Sequence, residues 1–353
     1  MDLQTIWFAL VAVLWIGYFV LDGFDLGAGA LLPVIGKTEA EKRVVINTLG
    51  PLWDGNEVWL LTAGGATFAA FPLWYATMFS GYYLALFLVL VALIIRGVSF
   101  EYRGKRDSAK WRRNFDILIV VGSFLPALLF GVAFGNITGG SKIAPLEGLN
   151  PADAGSINYV GNFFDLLNPF ALVMGLMTLT VFMTHGAIFI ALKTDGEIRE
   201  RARKVATKIG IVAAVFAVAS LLWAQTVSGR VAITLPLVLV GAVVWLAALG
   251  MNLKGREGWA FTLSSVTIGL AVAALFIGMY PNVMPSSIDA AYNLTVSNAS
   301  SQSYTLTIMT IVALVMTPIV LIYQGWTYWV FRKRLSAAVI PAVKVNAEGV
   351  TTY

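Results

Sequence analysis

LDGFDLGAGALL at residues 21–32 and GPLWDGNEVWLLTAGG at residues 50–65 place the carboxylates of Asp22, Asp25, Asp54 and Glu57 inside otherwise strongly apolar sequence. An ionised residue at the centre of a bilayer costs about 2.5 to 3.5 kcal/mol on insertion scales, so two such stretches in one chain need a reason. Around them, hydrophobic residues make up 58% of the 353 and charged residues 12%. The mean hydropathy is +0.80, whereas soluble domains carry roughly 45–50% apolar and 25% charged residues. This is the composition of a polytopic membrane protein built of helices.

Apolar runs of about 20 residues are long enough to cross a bilayer. They predict nine spans, over 5–32, 52–72, 75–99, 115–135, 163–192, 209–227, 231–250, 259–281 and 305–331. The connecting segments alternate in charge: of the 24 Lys and Arg, all but Lys142 and Arg230 fall on one side. The positive-inside rule then puts the N-terminus outside and the C-terminus in the cytoplasm. The net charge of +5 is thus an orientation signal, with no nucleic acid implied. Residues 1–20 lack a basic n-region and run straight into Asp22, so the first segment is expected to stay as a transmembrane helix. The count permits a four-helix bundle over 1–135 and a second over 163–281, separated by an external loop at 136–162. A further external loop at 282–304 would lead to a peripheral ninth helix and cytoplasmic tail, 305–353. Pro126 and Pro318 predict a bend in helix 4 and a kink in helix 9, since each removes a helical hydrogen bond.

Asp22 and Asp25, three residues apart, share one helix face. Gly23 and Gly27 have the spacing that lets a second backbone approach closely. The loop GKTEAEKR (36–43) is short, which predicts helix 2 antiparallel beside helix 1, with Pro51 suited to its first turn and Asp54 and Glu57 near the positive end of its dipole. Asp25 and Asp54 then belong to the inner leaflet and are expected to converge in an acidic cluster open to the cytoplasm, as proton uptake requires. In the competing, structural reading, Asp54 and Glu57 cap the helix while Asp22 and Asp25 pair with Lys42 or Arg43. Arg96 and Glu101 form a candidate pair of their own.

The chain has no Cys and one His, which excludes disulfides, iron–sulfur clusters and thiolate metal sites. His185 has three readings: a packing residue, a proton or quinone contact, or a haem ligand. No Walker motif, dinucleotide fingerprint, metal-ligand spacing or activated nucleophile is present. From the residues alone, two classes stay open: a proton-coupled secondary transporter, or a companion subunit that supplies protons to a redox centre elsewhere.

GYFVLDGFDLGAGALLP (17–33), GPLWDGNEVWLLTAGGATFAAFP (50–72), RGVSFEYR (96–103), LLNPFALVMGL (166–176) and HGAIFIALKT (185–194) closely resemble subunit II of the bacterial cytochrome bd quinol oxidases. The resemblance runs over nearly the whole chain. It implies a multi-pass plasma-membrane subunit of a terminal oxidase that oxidises menaquinol or ubiquinol, reduces oxygen to water and generates proton motive force. It further implies two four-helix bundles with a peripheral helix, and a heterodimer with a subunit I that carries a pair of b-type haems and a d-type haem. A small third subunit, membrane lipids and a structural quinone within this chain are also implied. By motif match the proton path would use Asp25 and Asp54, with Asp22 and Glu57 as weaker candidates.

Overall fold

The computed structural model describes residues 2–150 and 152–337, with the short paired segments 344–345 and 351–352; the side chain of Lys344, placed in the basic tail above, lies outside the described residues. Eight helices are long and apolar enough to cross a membrane. They are α1 (Leu3–Ala30), α6 (Tyr83–Tyr102), α7 (Ala109–Gly139), α8 (Pro169–Lys193), α9 (Gly196–Val227), α10 (Val231–Leu253), α11 (Glu257–Met279) and α12 (Ser303–Val330). Between them lie α2 (Leu32–Ile35), α3 (Glu39–Leu49), α4 (Trp53–Ala70) and α5 (Pro72–Gly81), and two hairpins, β1 (Ile143–Pro145) with β2 (Ile157–Tyr159) and β3 (Asn282–Met284) with β4 (Leu294–Thr295).

Helix starts follow local chemistry. Asp2, Ser108 and Asn168 each accept a backbone N–H three residues on, which satisfies one of the free donors of a first turn. Pro169 occupies a position where a missing N–H costs nothing. The proline-containing α7 and α12 run on as single helices through Pro126 and Pro318, and Pro236 does the same within α10.

α8 is the most buried of the long helices, and α1 lies against it at glycine contacts. A Cβ on Gly27 would overlap the backbone carbonyl of Phe182, and one on Gly186 would overlap the backbone of Gly27 and Ala28. The Gly23–Gly27 spacing therefore does what it predicts, with α8 as the close neighbour. α4 runs antiparallel along α1, from Asn56 beside Asp25 to Phe71 beside Phe8.

Three expectations change. The link between the first two predicted spans is not a short loop, since α3 intervenes: Thr38 and Glu41 form a reciprocal capping box, and the amphipathic run buries Val44, Val45 and Leu49. The predicted third span, 75–99, divides at Tyr82: its first part belongs to α5, which Pro72 starts and which docks on the hairpin through Thr77 and Ser80 to residues 157 and 158, and the long apolar helix begins only at Tyr83. Finally, Lys42 does not reach the carboxylates of α1. It pairs with Asp116 at 2.9 Å, and Arg103 joins Asp116 (2.6 Å) to Glu39 (2.8 Å). Beside the β1–β2 hairpin, residue 141 is tied to the segment before α12 by Ser141 N–H to the Pro285 carbonyl and Ser287 N–H to the Ser141 carbonyl.

At the basic end, Arg201 of α9 binds the Glu41 carboxylate at 2.9 Å and the backbone carbonyl of Ile35. Burial pushes the Glu41 carboxyl up, but Arg201 and the backbone N–H groups of Lys37 and Thr38 outweigh it and hold it below its ordinary value of 4.5. A carboxyl lowered on folding stabilises the fold above its unfolded value and loses that contribution as pH falls. The thermal midpoint of the detergent-solubilised protein should therefore drop as pH is lowered below about 4.5, and Glu41→Gln should lower the midpoint at pH 7 and flatten this dependence. Equal slopes for the two proteins would remove Glu41 as the cause.

Candidate functional site

The carboxylates of α1 divide between two neighbours. Asp22 is fully buried and meets Arg96 of α6, also fully buried, through Nη2–Oδ1 at 2.7 Å and Nη1–Oδ2 at 3.3 Å. α7 closes over the guanidinium because Gly122 lets it come near: a Cβ there would stand 2.9 Å from the Cβ of Arg96. The proposed Arg96–Glu101 pair is therefore not formed. Five residues apart on a helix, the two side chains point to different faces, and Glu101 is exposed.

One turn along α1, the fully buried Asp25 faces α4. Its Oδ2 accepts a hydrogen bond from Asn56 Nδ2 at 2.6 Å, while Oδ1 has no partner among the described residues. The Asn56 Oδ1 accepts from Gln324 Nε2 at 3.0 Å and from the Tyr328 hydroxyl at 2.8 Å, both on α12. The Tyr18 hydroxyl and Arg96 Nε are also buried without a partner among the described residues.

Asp54 does not converge on Asp25. It stands two residues before Asn56, hence on the opposite side of α4, and is exposed at the head of a stripe formed by Val58, Leu61, Gly65 and Phe68. Glu57 lies between the two faces. It is half-buried, its Oε2 lacks a partner among the described residues, and it sits within electrostatic range of Arg96, Asp22 and Asp54. Neither Asp54 nor Glu57 caps α4, whose N-cap is Leu52 with no side-chain bond. In order of burial the four carboxyls run from the exposed Asp54 through the half-buried Glu57 to the fully buried Asp22 and Asp25.

His185 of α8 is fully buried, its Nδ1 2.7 Å from the Ser264 hydroxyl and its Nε2 3.1 Å from the Val20 carbonyl, and its ring stacks on Phe261 at 4.5 Å. Both ring nitrogens are engaged, so the packing reading accounts for it. No group of His, Asp and Glu side chains among the described residues could hold a metal ion.

Sequence reasoning missed Asn56, Tyr328 and Gln324, and assigned Arg96 the wrong partner. A signal for Asn56 was available, since it begins the buried stripe continued by Ala63, Thr67 and Ala70 at helical spacing. Nothing local marks Tyr328 and Gln324, which lie more than 260 residues from Asn56 in sequence.

Between α8, α9, α10 and α11 lies a cavity of about 170 Å³, lined among others by Phe182, Met174, Trp245, Leu237, Ile268 and Leu275. Its polar wall groups are already committed: the Thr178 hydroxyl donates to Met174 O and Trp245 Nε1 to Gly210 O.

Residues 3–331 match the family described as cytochrome bd terminal oxidase subunit II. The chain is 44% identical over 339 residues to the cytochrome bd ubiquinol oxidase subunit 2 of Bacillus subtilis, covering 95% of this chain and 97% of that one. It is 40% identical over 360 residues to the cytochrome bd-I ubiquinol oxidase subunit 2 of Escherichia coli K12, covering 93% of each. Among solved structures, a chain of the bd oxidase from Geobacillus thermodenitrificans shares the fold with a TM-score of 0.75 at 15% identity, over 94% of this chain and 100% of that one. With its carboxylate site and its long apolar helices, this chain belongs to the cytochrome bd terminal oxidase subunit II family.

Proposed function

We propose that this subunit carries protons inward for quinol-driven oxygen reduction at haems held by subunit I, and that Glu57 and Asp25 are the groups that carry them. The observation behind this reading is the surface-to-core order of the four carboxyls, in which Glu57 and Asp25 each keep a buried oxygen without a partner among the described residues. Asp25, with one oxygen held by Asn56 and the other free, can take a proton at the free oxygen and pass it on without breaking its anchor. The buried Tyr18 hydroxyl, which has no hydrogen-bond partner among the described residues, can take part through bridging water. Asp22 has a different part. Both its oxygens are held by Arg96, so the pair supplies a fixed local field beside Asp25. Family membership leaves the transporter reading without support.

In the membrane, α4 acts as a ninth span. Its 18 residues rise roughly 27 Å, near the thickness of a hydrocarbon core of about 30 Å, and it lies along α1 throughout. With the basic loops in the cytoplasm, Asp54 opens to that side, the N-terminus is outside, and the helices divide into α1, α4, α6, α7 and α8–α11 with α12 peripheral. Subunit I covers the exposed apolar faces of α4, α6 and α12, which adjoin one another: Trp53 of α4 packs on Phe100 of α6, and Asn56 bonds α12. Lipid covers the rest. His185, with both ring nitrogens engaged, is a packing residue in this reading, and the haems belong to subunit I. The cavity among α8–α11 fits the isoprenoid tail of a structural quinone; it offers no free donor for the head group.

Asp25→Asn and Glu57→Gln should slow oxygen consumption by about tenfold or more, the scale of one lost acid–base group, with haem content unchanged; Asp54→Asn should have a smaller effect. Wild-type turnover in Asp25→Asn would discard the route. Asp22→Asn differs, because it leaves the Arg96 charge buried without its partner, a loss of about 3 to 5 kcal/mol. That variant should lose assembly, read as haem missing from the membrane. Separately, Gly241→Leu, which places a side chain in the cavity, should lower co-purified quinone without changing turnover. A parallel loss of turnover would make that quinone part of catalysis.

A further inference from the structure

We propose that Tyr328 and Gln324 of α12 are positioning residues for the Asp25 carboxyl, acting by fixing which way the side-chain amide of Asn56 points. This rests on the reading of Asp25 as a proton carrier. An asparagine amide has nearly the same shape in its two orientations, but one end only accepts and the other only donates. Asn56 is fully buried, so its neighbours alone decide between them. With the Tyr328 hydroxyl at 2.8 Å and Gln324 Nε2 at 3.0 Å both donating to Oδ1, the NH2 group is left to face Asp25, to which it donates at 2.6 Å. Turned over, Asn56 would set its carbonyl oxygen against the carboxylate and its NH2 against the Gln324 NH2. The two donors on α12 therefore hold the donor that Asp25 uses.

The placement of these two side chains is itself constrained. Four residues apart, they lie on one face of α12, and Gln324 lies over Gly55 of α4. Tyr328 rests edge-on against Phe24, the neighbour of Asp25 on α1, and Phe24 stacks on Phe189 at 4.0 Å. Elsewhere α12 holds to the other helices lightly. Leu306 is its one buried residue, near a tie from Trp7 Nε1 to Thr310 at 3.0 Å. Beyond its end, Arg334 binds Asp195 at 3.1 Å and Glu257 at 3.4 Å. The polar contact with Asn56 is thus a specific one on a helix that is otherwise apolar and exposed. It makes the state of Asp25 depend on the seating of α12.

The test uses the complete oxidase complex, assayed for oxygen consumption at saturating quinol and examined by infrared difference spectroscopy, in which Asp25→Asn identifies the carboxyl band of Asp25. The double variant Tyr328→Phe with Gln324→Leu should lower turnover about fivefold, the size of one net hydrogen bond, and shift the Asp25 band, while the haem spectrum and the KM for quinol stay as in the parent. Tyr328→Phe alone, which keeps the ring on Phe24, should shift the band in the same direction by a smaller amount. An unmoved band in both variants overturns the proposal. Should the double variant fail to assemble, the single variant decides by the same criterion. If Asp25→Asn leaves turnover unchanged, the proton-carrier reading fails, and the positioning claim still stands or falls on the band.

Discussion

Arg96 and Asp22 meet where neither has any exposed surface, and the arrangement around Asp25 depends on that contact. Taking an ion of this size from water into an apolar medium costs of order 20 kcal/mol in the idealised limit, which only a well-made partner offsets. The bidentate geometry supplies one, and it does so between α1 and α6, helices far apart in sequence. A charged pair of this kind contributes little net stability against an apolar replacement, but it admits one register. If α1 rotated by a residue, Asp22 would leave Arg96 and Asp25 would leave Asn56 together, because both sit on one face.

Close approach of backbones makes that register possible. α8 touches α1 where Gly27 and Gly186 leave no room for a Cβ, and α7 reaches Arg96 where Gly122 leaves none. In lipid, association draws on packing and interhelical hydrogen bonds, since lipid tails are as apolar as Leu, so these glycines take the place that large core side chains hold in soluble proteins. The polar groups between the helices are then shielded by backbone and by Phe24, Phe100 and Phe261 rather than by bulk.

How far the fold could be read in advance follows from these two facts. Hydropathy locates α1 and α6 to α12, and the lopsided basic loops mark one end, because both signals are local and additive. It locates α4 as well, though less strongly: Asp54, Asn56 and Glu57 with several Gly and Thr lower its hydropathy, and α4 is not among the eight most apolar long helices. α3 and the division of the third span at Tyr82 were misread because a capping box and a helix restart change where a helix begins without changing the apolar pattern. At the site, Asp22, Asp25 and Glu57 were legible as costly residues in an apolar setting. Their partners were not, because helical spacing says which residues share a face and nothing about which helix that face meets. Arg96 went to the nearest acid in sequence, and Tyr328 had no acid nearby to suggest it.

α4 joins these observations, as its two faces serve different masters. Asn56, Ala63, Thr67 and Ala70 are small or polar and turn to the other helices of this chain; Asp54, Val58, Leu61, Gly65 and Phe68 turn outward. A helix uniformly apolar could not bring a carboxyl from its outer face to the buried pair on α1, and one uniformly polar would not stay in the membrane. Glu57 sits on the boundary between the faces, half in each environment, within electrostatic range of both Asp54 and Asp22. In the proposed route, the acid and amide side chains that lower the hydropathy of α4 are the same ones that would connect the surface to Asp25.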